Sequence, residues 1–292
     1  MSRIAYVNGR YLPLHQASVN VEDRGYQFAD GVYEVVLVAG GRPVDEVLHL
    51  DRLDRSLREL RMRPPMSRAA LRNVLAEVAR RNRLRHGLLY LQVTRGVARR
   101  DHAFPAPSVR PALVVTAKTL PPPPGDVARW ATTAITHPDE RWARCDIKSV
   151  ALLPNALARQ AAREQGANEA ILIDAAGQVT EGASTTVWLV DDAGTLRTRR
   201  LDHAVLPGCT RAALIDLLHE VGIGFEERGC SLDELRRARE VFLTSASSYV
   251  RPVLRIDGRA VGDGQVGPVA ARLFALFLNH IGGGDRAPPA PA

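Results

Sequence analysis

Of the 39 Lys and Arg residues in this 292-residue chain, only two are lysines, Lys118 and Lys148. A chain that has turned nearly every basic position into arginine keeps lysine where arginine cannot stand in. A guanidinium stays protonated. A primary amine can lose its proton when desolvated or placed near another cation, and can then form an imine with an aldehyde. Lys148 lies in Arg144-Cys145-Asp146-Ile147-Lys148-Ser149, near Trp142 and just after an expected strand, a setting suited to a functional amine. A chance survivor of base composition is the plain alternative.

An imine-forming lysine has pyridoxal phosphate as its commonest partner. That cofactor asks for a lysine, an acidic partner for its pyridine nitrogen, and a phosphate cup. Glu181, in Val179-Thr180-Glu181-Gly182-Ala183-Ser184-Thr185-Thr186, sits between a turn and a strand and can keep a pyridinium charged. A solvated turn glutamate reads the same way. Leu206-Pro207-Gly208-Cys209-Thr210-Arg211 precedes a helix, where free N–H groups and a Thr hydroxyl suit a phosphate dianion. An ordinary threonine N-cap also explains it. Thr244-Ser245-Ala246-Ser247-Ser248 adds hydroxyls at a strand end.

The elements that must position these residues follow from periodicity. Asn8-Gly9 turns a hairpin over residues 5–12. Residues 33–38 read as a strand turned back by Gly40-Gly41. Residues 49–62 form a helix with Leu50, Leu53, Leu57 and Leu60 on one face, and Ser67 caps another running to about Arg81. Strands are expected at 87–94 and 112–117. Leu120-Pro121-Pro122-Pro123-Pro124-Gly125 cannot continue a helix or a central strand and reads as a stiff linker. Beyond it, strands are expected at 128–136, 169–174, 185–190 and 241–244, and helices at 155–165, 210–221 and 270–280. The reading is a mixed α/β (α+β) chain of two α/β domains: residues 1–119, a linker at 120–126, and a larger domain at 127–281 carrying Lys148. A Gly/Pro/Ala-rich tail at 282–292 is expected to be disordered. No Gly-x-Gly-x-x-Gly follows a strand, which argues against a nicotinamide site.

Composition excludes several classes. Hydrophobic content of 46% with 24% charge is ordinary for a globular chain. No run of about 18 apolar residues exists, so no membrane span is expected. The opening Met1-Ser2-Arg3-Ile4-Ala5-Tyr6 has no apolar h-region, so no signal peptide is expected. Cys145, Cys209 and Cys230 match neither a disulfide framework nor a metal site, which points to the cytoplasm. The net charge of +7 raises nucleic acid as a partner. The arginines are interleaved with Asp and Glu, however, and no basic arm or stacking strand accompanies them. A small acidic substrate or a phosphate cofactor suits the charge as well.

Taken in order, these segments resemble the fold-type IV pyridoxal-phosphate aminotransferases. Arg141-Trp142-Ala143-Arg144-Cys145-Asp146-Ile147-Lys148-Ser149 looks like the Schiff-base segment of that family. Gly25-Tyr26-Gln27-Phe28-Ala29-Asp30-Gly31-Val32-Tyr33-Glu34 is similar to its N-terminal motif. His49-Leu50-Asp51-Arg52-Leu53 and the segments around Glu181, Gly208 and Ser245 are similar too. The likeness runs from about residue 4 to 280. Within the family it is greatest to the D-amino-acid aminotransferases, through Thr94-Arg95-Gly96-Val97-Ala98-Arg99-Arg100-Asp101-His102.

The resemblance implies a homodimer that uses pyridoxal 5'-phosphate to move an amino group from a D-amino acid to a 2-oxo acid such as 2-oxoglutarate or pyruvate. Lys148 would form the Schiff base and shuttle the α-proton, and Glu181 would face the pyridine nitrogen. Arg52, Cys209, Thr210, Ser245, Ala246 and Ser247 would hold the phosphate. Tyr33, Arg100 and His102 would hold the substrate carboxylate, the last two across the subunit interface. Ala29, Ala246 and Tyr249 depart from the family pattern. Ala246 removes one candidate phosphate hydrogen bond, worth about 1–2 kcal/mol, and Tyr249 bears on side-chain specificity. A branched-chain L-aminotransferase, an (R)-amine transaminase and aminodeoxychorismate lyase share the fold and remain alternatives. The non-enzymatic alternative is a basic nucleic-acid-binding protein.

Overall fold

Asn8 and Gly9 carry positive φ angles of 46° and 96°, the backbone a tight hairpin turn demands. They join β1 (Ile4–Val7) to β2 (Arg10–Pro13). The computed structural model describes residues 3–282 and divides the chain into two units. The first runs to Pro122 and takes in Ile147–Ala151. The second holds Pro123–Asp146 and the described residues from Leu152 to Gly282.

In the first unit, β1 and β2 are followed by α1 (Arg24–Phe28), β3 (Gly31–Ala39), β4 (Arg42–Pro43), α2 (Glu46–Glu59), α3 (Arg68–Arg81), β5 (Gly87–Thr94) and β6 (Ala112–Thr119). The strands form one antiparallel sheet in the order β2-β1-β6-β5-β3-β4. Alternate residues turn one face inward: Val32, Val36 and Val38, then Leu89, Leu91 and Val93, then Leu113 and Val115. They pack with Leu50, Leu53 and Leu57 of α2 and Leu71, Leu75 and Val78 of α3. Each such burial stabilises by about 1.5–3 kcal/mol. Ser67 caps α3, its hydroxyl accepting from Ala70 N at 3.3 Å.

The second unit holds β7 (Thr132–Pro138), α4 (Leu153–Glu164), β8 (Glu169–Ile173), β9 (Val179–Gly182), β10 (Thr186–Val190) and β11 (Leu196–Thr198). These are followed by α5 (Cys209–Glu220), β12 (Glu226–Glu227), α6 (Leu232–Arg237), β13 (Glu240–Ser245), β14 (Tyr249–Ile256), β15 (Arg259–Ala260) and α7 (Pro268–Gly282). Its mixed sheet runs β12-β11-β10-β13-β14-β7-β8-β9, with β15 beside β14. β7 and β8 are parallel and joined through α4, a βαβ unit inside a largely antiparallel frame.

Several sequence expectations need correction. The strand expected from residue 128 starts at Thr132, because the Asp126 carboxylate accepts from Ala128 N at 2.9 Å and winds Val127–Trp130 into a 3-10 turn. No strand immediately precedes Lys148, since β7 ends at Pro138. Lys148 also lies in the first unit rather than with the domain that follows the linker. Tyr33 N donates to the Lys148 carbonyl at 3.0 Å, Val150 N to the Gly31 carbonyl at 3.0 Å, and Ile147 enters the first core. The division between units falls at Pro122 and Pro123. Gly282 ends α7, and the rest of the expected tail, 283–292, lies outside the described residues. Among the described residues no helix is long and apolar enough to cross a membrane. All three cysteines are free thiols.

Candidate active site

Lys148 is held by its neighbours in sequence. Ile147 and Ser149 are buried, and Ser149 forms a bridge to Val32. The backbone N–H of Lys148 donates to Ser56 Oγ at 3.3 Å. Ser149 N also donates to the Ile147 carbonyl at 2.7 Å, closing a tight turn centred on Lys148, and with Ile147 and Ser149 buried on either side the half-buried Lys148 is the residue presented at that turn. Its Nζ stands 4.2 Å from the centre of the Tyr33 ring. Tyr33 in turn stacks on Tyr90, with centroids 5.7 Å apart. Burial and the nearby Tyr33 phenol push the Tyr90 hydroxyl up to about 12, so it stays protonated and donates to Gln92 Oε1 at 2.6 Å.

Arg52 lies on α2. It is buried and grips Glu34 with two hydrogen bonds, Nε to Oε1 at 2.8 Å and Nη2 to Oε2 at 2.7 Å. His49 Nδ1 lies 2.8 Å from the same carboxylate. Burial alone would raise the Glu34 carboxyl. The Arg52 guanidinium and His49 outweigh it and hold the group at about 2. A fork on a carboxylate fixes the Arg52 rotamer as well as its charge.

Arg100 and His102 are both exposed and meet at Phe28. The Arg100 Cζ is 4.6 Å from the ring centre, and the His102 ring is 5.4 Å away.

In the second unit Glu181 is buried within β9, a strand the sequence did not suggest. Arg141 forms an ion pair with its Oε1, and Leu206 N donates to Oε2 at 3.2 Å. Arg141 also bonds Asp139 at 2.7 Å and the Ala204 carbonyl at 3.0 Å. Burial would lower the Arg141 pKa, but the Asp139 bonds and Glu181 raise it, so the guanidinium stays charged. Cys145 lines a cavity of about 700 Å³ together with Arg141, Trp142 and His203. Burial pushes its thiol up to about 11 against the pull of Arg141, so it is a neutral thiol at pH 7.

The start of α5 fits a phosphate. Its N-cap is Gly208 rather than Thr210, and no side chain caps the first turn. Helix N–H groups left without a side-chain cap, with the positive end of the helix dipole, form an anion site. Gly208 lies so close to β10 that a Cβ there would sit 2.9 Å from Thr186 Oγ1. Thr186 pairs across the sheet with Thr244, next to Ser245. The Ser245 hydroxyl accepts from Ser248 N at 3.1 Å and lies 3.4 Å from Ser247 Oγ. α5 packs on β13, and through Gly208, Thr186 and Thr244 its first turn lies toward the end of β13 where Ser245 stands. Tyr249, read as a specificity residue, is buried against Trp130 and Phe277.

Three residues that support the site were given no role from the sequence. Glu34 follows Tyr33 on β3 and therefore faces the other side, toward α2. Arg141 and Phe28 lie inside segments already singled out. Their signal was an unpaired acid, base or ring beside a candidate, which local periodicity does not interpret.

Comparisons with known proteins show the family. Residues 31–256 match the family Amino-transferase class IV. The chain is 38% identical to a D-alanine aminotransferase of Staphylococcus haemolyticus over 276 residues, 94% of this chain and 97% of that protein. It is 41% identical to a D-alanine aminotransferase of Bacillus licheniformis, over 94% of this chain and 95% of that protein. Among solved structures, a T.th. branched-chain amino acid aminotransferase with pyridoxamine 5'-phosphate superposes with a TM-score of 0.87. It is 28% identical and covers 99% of this chain and 96% of that one. A branched-chain amino acid aminotransferase of Escherichia coli gives 0.88 at 25% identity, covering 99% and 98%. The chain belongs to the class IV aminotransferases, the fold-type IV enzymes that work with pyridoxal 5'-phosphate.

Proposed function

We propose that this enzyme moves an amino group between a D-amino acid, such as D-alanine or D-glutamate, and a 2-oxo acid, 2-oxoglutarate or pyruvate. The observation that carries the reading is the Arg100–His102 pair seated on Phe28. An exposed guanidinium beside an imidazole is suited to an α-carboxylate. The D-alanine aminotransferases are 38% and 41% identical to this chain, against 25% and 28% for the branched-chain enzymes.

Bound pyridoxal phosphate supplies an electron sink that stabilises negative charge on the substrate α-carbon. Lys148 would hold the cofactor through its amine, and the same amine is the group suited to carry the α-proton. Glu181, paired with Arg141 and the Leu206 amide, would face the pyridine nitrogen and hold it in its charged form. The first turn of α5 at Cys209 and Thr210 would hold the phosphate with Ser245, Ser247 and the Ala246 backbone, the role that the resemblance also gives Arg52. Tyr33, Arg100 and His102 fix the substrate carboxylate, which decides the hydrogen that faces Lys148. The proposal includes a homodimer in which Arg100 and His102 serve the neighbouring subunit. Their exposure leaves both able to reach a second chain.

The test is turnover with D-alanine, L-leucine and (R)-1-phenylethylamine as separate amino donors to 2-oxoglutarate and to pyruvate. The proposal expects kcat/KM to be highest for D-alanine. A preference for L-leucine would favour a branched-chain enzyme, and a preference for the simple amine an (R)-amine transaminase. Arg100→Ala removes charge-assisted hydrogen bonds of about 1.5–3 kcal/mol, so KM for D-alanine should rise roughly ten- to hundredfold.

A further inference from the structure

The Phe28 ring carries three side chains. Arg24 Cζ lies 4.7 Å from its centre and Arg100 Cζ 4.6 Å, and the His102 ring sits 5.4 Å away at 55°. A cation over an aromatic face is attracted by the ring quadrupole, so Phe28 is a platform for Arg100. Among the described residues Arg100 has no ion-pair or hydrogen-bond partner, so its charge stays open to an incoming anion. Arg24 differs. It is nearly fully buried, its Nε bonds Asp30 Oδ2 at 2.8 Å, and its Nη1 donates to the Asp101 carbonyl at 2.6 Å. That last bond grips the backbone of the residue between Arg100 and His102.

Asp30 offsets the charge of this buried arginine and of a second one. Arg95 bonds it with Nε at 2.7 Å and Nη2 at 2.9 Å, and also bonds the Leu60 and Arg61 carbonyls. Arg95 Cζ lies 3.7 Å over Phe104. The loop is therefore tied at 101 by Arg24 and at 104 by Arg95, with His102 between the ties.

We propose that Arg24 and Phe28 are positioning residues that set the affinity for the substrate carboxylate without touching it. Arg24 fixes the loop backbone, and Phe28 orients the Arg100 and His102 side chains. The proposal rests on the reading of Arg100 and His102 as the carboxylate trap. Its consequence is specificity: the platform favours donors with an α-carboxylate over simple amines.

The experiment compares wild-type holoenzyme with Phe28→Leu, Phe28→Tyr, Arg24→Gln and Arg100→Ala. Four quantities are read: KM and kcat with D-alanine, melting temperature, and binding of propionate, an amine-free carboxylate, from its perturbation of the visible band. Phe28→Leu and Arg24→Gln should each raise both KM and the propionate dissociation constant about tenfold, equal to about 1.4 kcal/mol. Their kcat should stay within about twofold. Phe28→Tyr, which keeps the aromatic face, should restore both values. If Arg100→Ala weakens propionate and Phe28→Leu does not, the platform falls and the trap stands. If Arg100→Ala leaves propionate binding unchanged, both fall. Should Arg24→Gln melt the fold, the half-buried Phe28 decides alone.

Discussion

Lys148 sits at the centre of a tight turn, closed by Ser149 N on the Ile147 carbonyl, whose two flanking side chains are buried, so its place is set by backbone bonding and packing. The nearest described partner of its amine is the face of Tyr33, 4.2 Å away, rather than a carboxylate that would lock the charge on. Lys148→Ala removes both the anchor and the proton carrier. Turnover should fall by at least the roughly 10²–10⁴-fold that a positioned acid–base group contributes. Steady-state assay of purified variant checks this, and turnover at the wild-type rate would refute the role. Arg141 makes a second residue-scale prediction. It and Glu181 are a buried ion pair, so Arg141→Met leaves a carboxylate with no counter-charge at a cost of about 3–5 kcal/mol. Urea unfolding should show that loss, and the visible band of bound cofactor should weaken. An unchanged midpoint would place the Glu181 charge under other control.

The anion site belongs to a helix terminus. The first turn of α5 lacks a side-chain cap, and Gly208 is pressed against Thr186. Gly208→Ala would push a methyl into Thr186 Oγ1 and tilt that turn. Pyridoxal phosphate affinity, read by titrating apoenzyme at 25 °C, should weaken by about 1–2 kcal/mol, roughly five- to thirtyfold. Equal affinity would remove α5 from the cup. Much at this scale was legible in the sequence. Asn8-Gly9 announced its hairpin, Ser67 its cap, and the β5 bounds matched because alternation and turn residues agreed. The misses share a cause. β14 opens on Tyr249 at φ 55° and contains Pro252, both features that read as a turn rather than a strand. α1 is five residues long, too short for periodicity. β9 is buried on both faces, so Glu181 had no alternating pattern to place it. The pairing of Arg52 with Glu34 spans 18 positions, beyond the reach of any local pattern. The return of Ile147–Ala151 to the first unit depends on backbone bonds to β3, which leave no local signature.

Across the whole molecule, arginine-rich pairing ties stability to pH. Glu34 titrates at about 2 when folded, against 4.5 for an ordinary glutamate carboxyl such as the unfolded chain presents. Between those values the unfolded chain binds a proton that the folded chain does not, so folding loses stability as pH falls through 4.5 toward 2. Above 4.5 the contribution is fully present. Acid unfolding of Glu34→Gln should therefore vary less with pH over that window than wild type. Its stability at pH 7 should be lower, because Arg52 is left buried without a counter-charge. Parallel curves would contradict the linkage. The central claim is that Lys148, Glu181 and the α5 terminus serve one cofactor, and that Arg100 and His102 select a D-amino acid. The most direct measurement is the visible absorption spectrum of the purified holoenzyme before and after D-alanine, with L-leucine in a parallel cuvette. The account predicts that D-alanine alone discharges the visible band. Discharge by L-leucine alone would contradict the Arg100–His102 assignment, and absence of any band after added pyridoxal phosphate would contradict the account from Lys148 onward.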